Sequence, residues 1–406
     1  MGPPVSQGST GLLRRLREID ESIASAADCR YGRRVRRGAA LLVIGVSGLL
    51  STGCIFSRMF WYNTPSLAAP EYFESRVVHA STSPAPLQAG KELALALTPG
   101  EQKTWGSFDA MLEQNQTAAF LVLRDDRVVY ERYFGKVDAR TLLPSFSISK
   151  TYAALLAGCA IDDGLIESPR SKLVQLVPEL SGKKHYESIT IEHLLRMTSG
   201  IDFEEESVAG AMFYYSKDLR GRLYDYDVKW TPGTHYLYGS VNIQLLWDAL
   251  HRRLGDKTVS QYFEERLWGP LGAESSATWS LDSGDGGVEK LFGGFNATAR
   301  DHARIGLLFL HAGTFANHQV VRSSWVDASL DPDPVAGILE TSDGWVRRGK
   351  YQWFLTLDKR AYFAKGYHGQ YVFLVPEKNL LFVRFAEGYG KVDWPALFLR
   401  LSEQMP

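Results

Sequence analysis

A net charge is the first thing this sequence lacks. Across 406 residues, 45 Lys plus Arg are set against 46 Asp plus Glu, so no global field draws the chain to nucleic acid or anionic lipid. A small-molecule or short-peptide partner fits that balance better. Cysteine is scarce: Cys29, Cys54 and Cys159 are far apart and form neither a disulfide framework nor a metal set. The nine histidines include no His-Glu-x-x-His, and His302, His311 and His318 lack the spacing of a zinc site. Arg300-Asp301-His302 reads instead as a helix-start charge pair. Also missing are a Gly-rich phosphate loop ahead of a helix, a Gly-x-Ser-x-Gly elbow in the C-terminal bulk, and any repeat of 20 to 50 residues. No metal and no organic cofactor are implied.

Composition breaks at the N-terminus. Residues 1–37 are basic, with Arg30, Arg33, Arg34, Arg36 and Arg37 preceding an uncharged run from Gly38 to Ser57, then Arg58 and the aromatic trio Phe60, Trp61 and Tyr62. Twenty helical residues span a hydrocarbon core of about 30 Å, and arginines ahead of the run predict a cytoplasmic N-terminus with the rest exported. We read 38–57 as a transmembrane signal anchor, because no Ala-x-Ala site follows it. A lipoprotein signal ending at Cys54 is the second reading, weakened by Ser51 where an aliphatic residue is usual. Both put the C-terminal bulk outside the cytoplasm, periplasmic if the cell is Gram-negative.

Residues 58–100 carry Pro65, Pro70, Pro84, Pro86 and Pro99 with many Ser and Ala, which predicts a linker with little core of its own. The folded domain is expected over 101–406. Within it, Ala118 to Leu123 and Val128 to Phe134 flank Arg124-Asp-Asp-Arg127, a hairpin pattern. Tyr371 to Val375 and Leu380 to Phe385 flank a second turn at Pro376 to Asn379, and an amphipathic stretch, Trp394 to Leu401, follows. Between them the pattern is helical, with Thr190 capping Ile191 to Met197 and Thr298 capping the run through Ala312. The expected architecture is α+β: one antiparallel sheet made by joining the two hairpins, with helices packed on it.

Ser147-Ile-Ser-Lys150 opens a helix of small and apolar residues. Positions three apart share a helical face, so the hydroxyl and the amine can touch. A serine hydroxyl is a poor nucleophile until a base takes its proton, and a lysine becomes that base when apolar surroundings disfavour its ammonium form. Ser145 and Ser149 are rival nucleophiles by position, but neither has a lysine three residues on. Alone, the pattern equally suits an exposed helix start with a solvated lysine.

Context changes its weight. Pro144 to Lys150 leading to Ile161-Asp-Asp-Gly-Leu-Ile166, then Ile189-Thr-Ile-Glu-His-Leu-Leu-Arg-Met-Thr-Ser-Gly200, Leu267-Trp-Gly-Pro-Leu-Gly272 and Thr298-Ala-Arg-Asp-His-Ala-Arg304, resemble in order the class C branch of the β-lactamase and penicillin-binding protein family over about 290 residues. The resemblance implies a β-lactamase/transpeptidase-like fold, Ser147 as nucleophile and Lys150 as base. It also implies a second motif, Tyr-x-Asn after Pro-Gly-Thr. Here Pro232-Gly-Thr234 is followed by Tyr238-Gly-Ser240, which makes Tyr238 the proton relay, with Tyr236 its nearest competitor. Ser240 stands where the family has the Asn that holds the substrate amide, a departure that weakens the case for lactam or muropeptide substrates.

The family's third motif, Lys-Thr-Gly, has two registers in Ala364-Lys-Gly-Tyr-His-Gly-Gln-Tyr371. In the preferred one, His368-Gly369 replaces its core and an N–H near Gln370 is the second oxyanion donor. In the other, Lys365-Gly366 serves with a shortened loop. Tyr238-Gly-Ser240 with His368-Gly-Gln370 is closest in pattern to 6-aminohexanoate-dimer hydrolase and esterase relatives. Phe203 to Trp230, aromatic-rich after Glu204-Glu-Glu206, reads either as the wall of an apolar acyl pocket or as a cover on the core. The expectation is a serine hydrolase of ester or amide bonds working through an acyl-enzyme. A D-Ala-D-Ala carboxypeptidase or β-lactamase is the alternative, and a silent β-lactamase-like binding module is a third.

Overall fold

The computed structural model describes residues 65–284, 286–341 and 344–405. The basic segment, the anchor at 38–57 and Cys54 lie outside the described residues. Among the described residues no helix is long and apolar enough to cross a membrane.

Among the described residues, a large and a small antiparallel sheet, a two-stranded hairpin of Thr314–Phe315 with His318–Gln319, and a helical region make up the chain. The strands are β1 (Ser75–Val78), β2 (Thr117–Arg124), β3 (Arg127–Tyr133), β4 (Leu143–Pro144), β5 (Ala277–Ser280), β6 (Phe295–Ala297), β7 (Thr314–Phe315), β8 (His318–Gln319), β9 (Ile338–Thr341), β10 (Gly344–Arg348), β11 (Phe354–Leu355), β12 (Tyr362–Gly366), β13 (Gln370–Val375) and β14 (Leu380–Ala386). The helices that matter for the site are α1 (Phe108–Gln114), α2 (Ser149–Asp162), α3 (Ile191–Arg196), α4 (Ser240–His251), α5 (Ala299–Leu310) and α6 (Trp394–Glu403).

The large sheet has the order β3-β2-β14-β13-β12-β11-β10-β9. The two hairpins expected from the sequence do meet, through antiparallel pairing of β2 with β14. The first turn works because Asp125 and Asp126 both take positive φ, 48° and 63°, the geometry that matches the twist of a two-residue hairpin. Strands β2, β13 and β14 read as continuous apolar runs because both faces of the sheet are covered. Phe120, Val122, Phe373 and Phe382 face α1 and α6, while Leu121, Leu123, Val372 and Val383 face the main core with α2 and α5.

A second, four-stranded sheet of order β1-β5-β6-β4 was not expected. It corrects the linker reading of 58–100. Ser75–Val78 pairs residue by residue with Ala277–Ser280, Val78 is fully buried, and the Ala85 carbonyl accepts from the buried Arg304. Pro70 and Pro99 sit in the first turns of short helices, Ala69–Tyr72 and Pro99–Trp105, and the proline-free Ser75–Val78 between them forms an edge strand. Its partner lies some 200 residues away, so no local pattern announces the pairing.

The small sheet carries the segment that leads into Ser147. Leu143–Pro144 pairs with Asn296–Ala297, and Phe295 holds both sides of the turn that follows: its carbonyl accepts from Ser145 N at 2.9 Å and its N–H donates to Ser149 Oγ at 3.1 Å. The Phe295 ring lies among Tyr152, Phe263, Trp268 and Trp279 at centroid distances of 4.8 to 5.1 Å. Phe295→Ala is expected to cost about 3–5 kcal/mol, read as a fall in the denaturant midpoint without a change in slope. A cost below about 1 kcal/mol would show that this cluster does not carry the strand ahead of Ser147.

Candidate active site

The turn before α2 is strained. Phe146, a bulky residue, has φ of 45°, a conformation that costs free energy unless the surroundings impose it. Here they do. Ser145 and Ser149, the two rival serines, are fully buried and bonded to each other at 2.7 Å between hydroxyls. With Phe295 they clamp the chain on both sides of Phe146. Ser147, the half-buried serine of the three, is carried on a 3₁₀ turn, Phe146–Ile148, directly ahead of α2.

Lys150 is 2% exposed. Its Nζ lies 3.0 Å from Ser147 Oγ and donates to the Phe292 carbonyl at 2.8 Å. The rings of Tyr238 and Phe292 lie 5.0 and 5.8 Å from it. No carboxylate among the described residues is within salt-bridge distance. Burial therefore pulls the amine down to about 8, with the negative charge of Glu205 opposing that fall and the Arg348 guanidinium adding to it. Such a shift corresponds to roughly 3 kcal/mol of disfavoured ammonium form.

Tyr238 donates its hydroxyl to Ser147 Oγ at 2.7 Å. Burial, and then the Glu205 charge, raise its pKa well above the usual phenol range, so it stays a neutral hydroxyl at physiological pH. Tyr236, its competitor by sequence, sits near the buried Arg348 instead, 5.9 Å from guanidinium carbon to ring centroid. The structure thus brings Ser147, Lys150 and Tyr238 together, with the serine oxygen between an amine and a phenol. That arrangement can take a proton from a hydroxyl and return it to a leaving group.

The β-lactamase family profile matches residues 108–401. The chain belongs to the beta-lactamase family. It is 30% identical over 309 residues to 6-aminohexanoate-dimer hydrolase of Paenarthrobacter ureafaciens, covering 70% of this chain and 74% of that protein. Among solved structures it resembles a Bacillus anthracis protein provisionally assigned as a 6-aminohexanoate-dimer hydrolase, with a TM-score of 0.71, 19% identity and coverage of 84% and 92% of the two chains. A penicillin-binding protein homologue from Caulobacter crescentus matches at a TM-score of 0.57 and 17% identity, over 72% of this chain and 94% of that one. The antiparallel α+β fold and the serine-hydrolase class both follow from this membership.

Within the family's frame, the other expected residues need correcting. The strand that lies against the nucleophile turn is β12, which ends at Lys365-Gly366. A side chain at Gly366 would put Cβ 2.5 Å from the Ser145 carbonyl oxygen, so only glycine lets this strand approach so closely. The register with Lys365-Gly366 at the third motif therefore fits, and the preferred register on His368-Gly369 does not. The physical reason is loop length: only Tyr367–Gly369 separate β12 from β13, whose ends pair at Gly366 and Gln370.

His368 takes φ of 63° in that turn, and its Nε2 lies 2.6 Å from the Pro65 carbonyl oxygen. Burial lowers its pKa. Gly369 gives its carbonyl to Arg384 at 2.7 Å. The Gln370 side chain is buried and makes two bonds to the Ala386 backbone. These side-chain roles are structural. Ser240 is also turned away from a substrate role: its backbone N–H and its hydroxyl both donate to Glu205.

The aromatic segment divides likewise. Phe203, Phe213 and Tyr226 pack edge to face at 5.1 to 6.1 Å, and Tyr215 is buried against Phe73. They form a cover on the core rather than an open acyl pocket, and the cover reaches the site through Phe213 on Phe292 at 5.3 Å.

Three contributors were missed. Glu205 was visible only as part of an acidic run, and Arg348 gave no signal. His302, read with Arg300 and Asp301 as a helix-start charge pair, is fully buried between Tyr152 Oη and the Leu143 carbonyl, 3.0 Å from each. Burial holds it neutral, pulled down to about 4. It ties α5 to α2 and to the strand four residues before Ser147.

The Lys150 environment makes a direct prediction. With lysines labelled at ¹³Cε, one resonance is expected to titrate at about pH 8 and to vanish in Lys150→Met. Titration of every lysine near 10.5 would contradict the site geometry.

Proposed function

We propose that this protein hydrolyses an ester or amide bond through an acyl-enzyme on Ser147. The observation that carries the reading is the placement of Ser147 Oγ between Lys150 Nζ at 3.0 Å and the Tyr238 hydroxyl at 2.7 Å. In the first half-reaction Ser147 Oγ attacks the carbonyl carbon and its proton passes to neutral Lys150. Backbone N–H groups of Ser147 and of the turn after Gly366 face the oxyanion. The tetrahedral species collapses as the leaving alcohol or amine takes a proton through Tyr238, and Lys150 restores the phenol proton. Water then repeats the sequence on the acyl-enzyme and releases the acid.

The division of labour follows from the two shifts. Tyr238 is too weak an acid to ionise near neutral pH, so it passes protons on and Lys150 is the group that accepts them. The rate should therefore rise with pH through about 8 as Lys150 loses its proton. An amide or ester of a small amino-acid derivative is the substrate class supported by the name of the 30%-identical relative. Ser240, held by Glu205, offers no Asn amide to a lactam, which disfavours the β-lactamase and D-Ala-D-Ala carboxypeptidase alternatives. The arginine-flanked apolar run at 38–57 supports a domain tethered to a membrane and facing away from the cytoplasm.

A paired labelling experiment tests the proposal. A fluorophosphonate is expected to label the wild type and not Ser147→Ala, while a fluorescent penicillin labels neither. Label surviving in Ser147→Ala would remove the nucleophile assignment. Penicillin labelling at Ser147 would favour the carboxypeptidase or lactamase reading, and no label from either probe would favour a silent module. Tyr238→Phe is expected to lower kcat by roughly 10²- to 10⁴-fold on whichever ester is turned over.

A further inference from the structure

The second motif of this chain has Ser240 where the family has Asn, and Ser240 is held by Glu205. Glu205 lies in the loop ahead of α4 in sequence, 33 positions before Tyr238. Its Oε2 accepts the Ser240 backbone N–H at 2.6 Å and its Oε1 accepts the Ser240 hydroxyl at 2.5 Å. Ser240 is the first residue of α4 and is 2% exposed. One carboxylate thus takes both donors of a single buried residue at a 12-residue helix start, where negative charge is also favoured by the helix dipole.

The consequence reaches Tyr238, two residues earlier. Gly239 between them is extended, with φ of −161°, and a Cβ there would sit 3.1 Å from the Phe203 ring. Phe203 is two residues before Glu205 and packs into Phe213 and Tyr226. The Gly239 carbonyl is bound in turn by Asn242, through N–H at 3.2 Å and Nδ2 at 3.1 Å. The segment 238–240 is therefore fastened on one side by ring packing and at its end by Glu205, leaving Tyr238 little freedom except toward Ser147 Oγ.

We infer that Glu205 is a positioning residue for the hydrolytic site, clamping Ser240 so that Tyr238 is held on Ser147. The inference rests on the reading of Ser147, Lys150 and Tyr238 given above. The groups around Lys150 are the Ser147 hydroxyl, the Tyr238 ring, the Phe292 carbonyl and ring, and two charges that act on it, Glu205 and the buried Arg348 of β10. Glu205 favours the ammonium form and Arg348 the neutral amine. Removing the anion leaves Arg348 unopposed.

The test is steady-state kinetics of Glu205→Gln, Glu205→Asp and Ser240→Ala in the full chain, with active sites counted by fluorophosphonate. Glu205→Gln is expected to lower kcat per labelled site by roughly ten- to a hundredfold with KM changed less than about threefold. The acid limb of its kcat/KM profile should move to lower pH. Glu205→Asp, which keeps the charge, should keep the wild-type limb. Ser240→Ala should lose less than Glu205→Gln, and the double variant should be no worse than Glu205→Gln, because both changes cut the same tie.

An unmoved limb with wild-type kcat per labelled site would overturn the inference, whatever happens to Tm. If Glu205→Gln does not fold, the limb of Glu205→Asp and the kcat of Ser240→Ala decide it: a limb shifted as if the charge were lost, or full activity in Ser240→Ala, counts against the clamp. Failure of the underlying reading is distinct, since Ser147→Ala would then still take the label.

Discussion

Burying a lysine amine without a carboxylate beside it is the constraint on which the rest of the site depends. An ammonium in that position would be poorly solvated, so the fold supplies a neutral-amine environment: a backbone carbonyl from Phe292, two aromatic rings and a serine oxygen. Every neighbouring element is then recruited to keep this pocket dry and aligned. Helix α2 is buried along almost its whole length, which keeps water from reaching Lys150 along the helix. The small sheet fixes the turn before it, and the aromatic cover closes over Phe292. The advantage of the arrangement is chemical: a lysine whose pKa is lowered toward physiological pH can take a proton there, which an exposed lysine cannot do.

In the proposed mechanism, geometry and electrostatics separate the roles of the two proton carriers. Both Lys150 and Tyr238 are shifted mainly by burial, and burial pushes them in opposite senses because the charged form is the acid of one and the base of the other. The lysine moves toward neutrality and the tyrosine away from ionisation. Tyr238 stays uncharged beside Ser147 and Lys150 sheds its charge at about 8, with Glu205 and Arg348 the nearby full charges. Those two act on both carriers with opposite sign, so the balance of the site is set from outside the reacting triad.

Much of this was legible in the sequence, for physical reasons that also mark its limits. Helical spacing places Ser147 and Lys150 on one face, and turn chemistry at Asp125-Asp126 and Pro376 to Asn379 gives both hairpins; these are local constraints that a few neighbouring residues impose. The pairing of Ser75–Val78 with Ala277–Ser280 is not local, and a proline-rich stretch disguised it as linker. The third motif was misaligned because residue types suggested a register that only loop length could decide. His302 and Arg348 were invisible because a charged or titratable residue in a sequence is, by default, a surface residue, and their burial depends on partners far along the chain, such as Leu143 for His302 and Tyr236 for Arg348.

The account stands on Lys150 being the base for Ser147. The most direct measurement is the rate at which a fluorophosphonate modifies Ser147 as pH is varied, in the wild type and in Lys150→Met. The expected result is a rate that rises with pH to a plateau, with a midpoint at about 8, and a rate in Lys150→Met that is far lower and lacks that midpoint. A midpoint unchanged in Lys150→Met, or a wild-type rate still climbing steadily past pH 10, would contradict it.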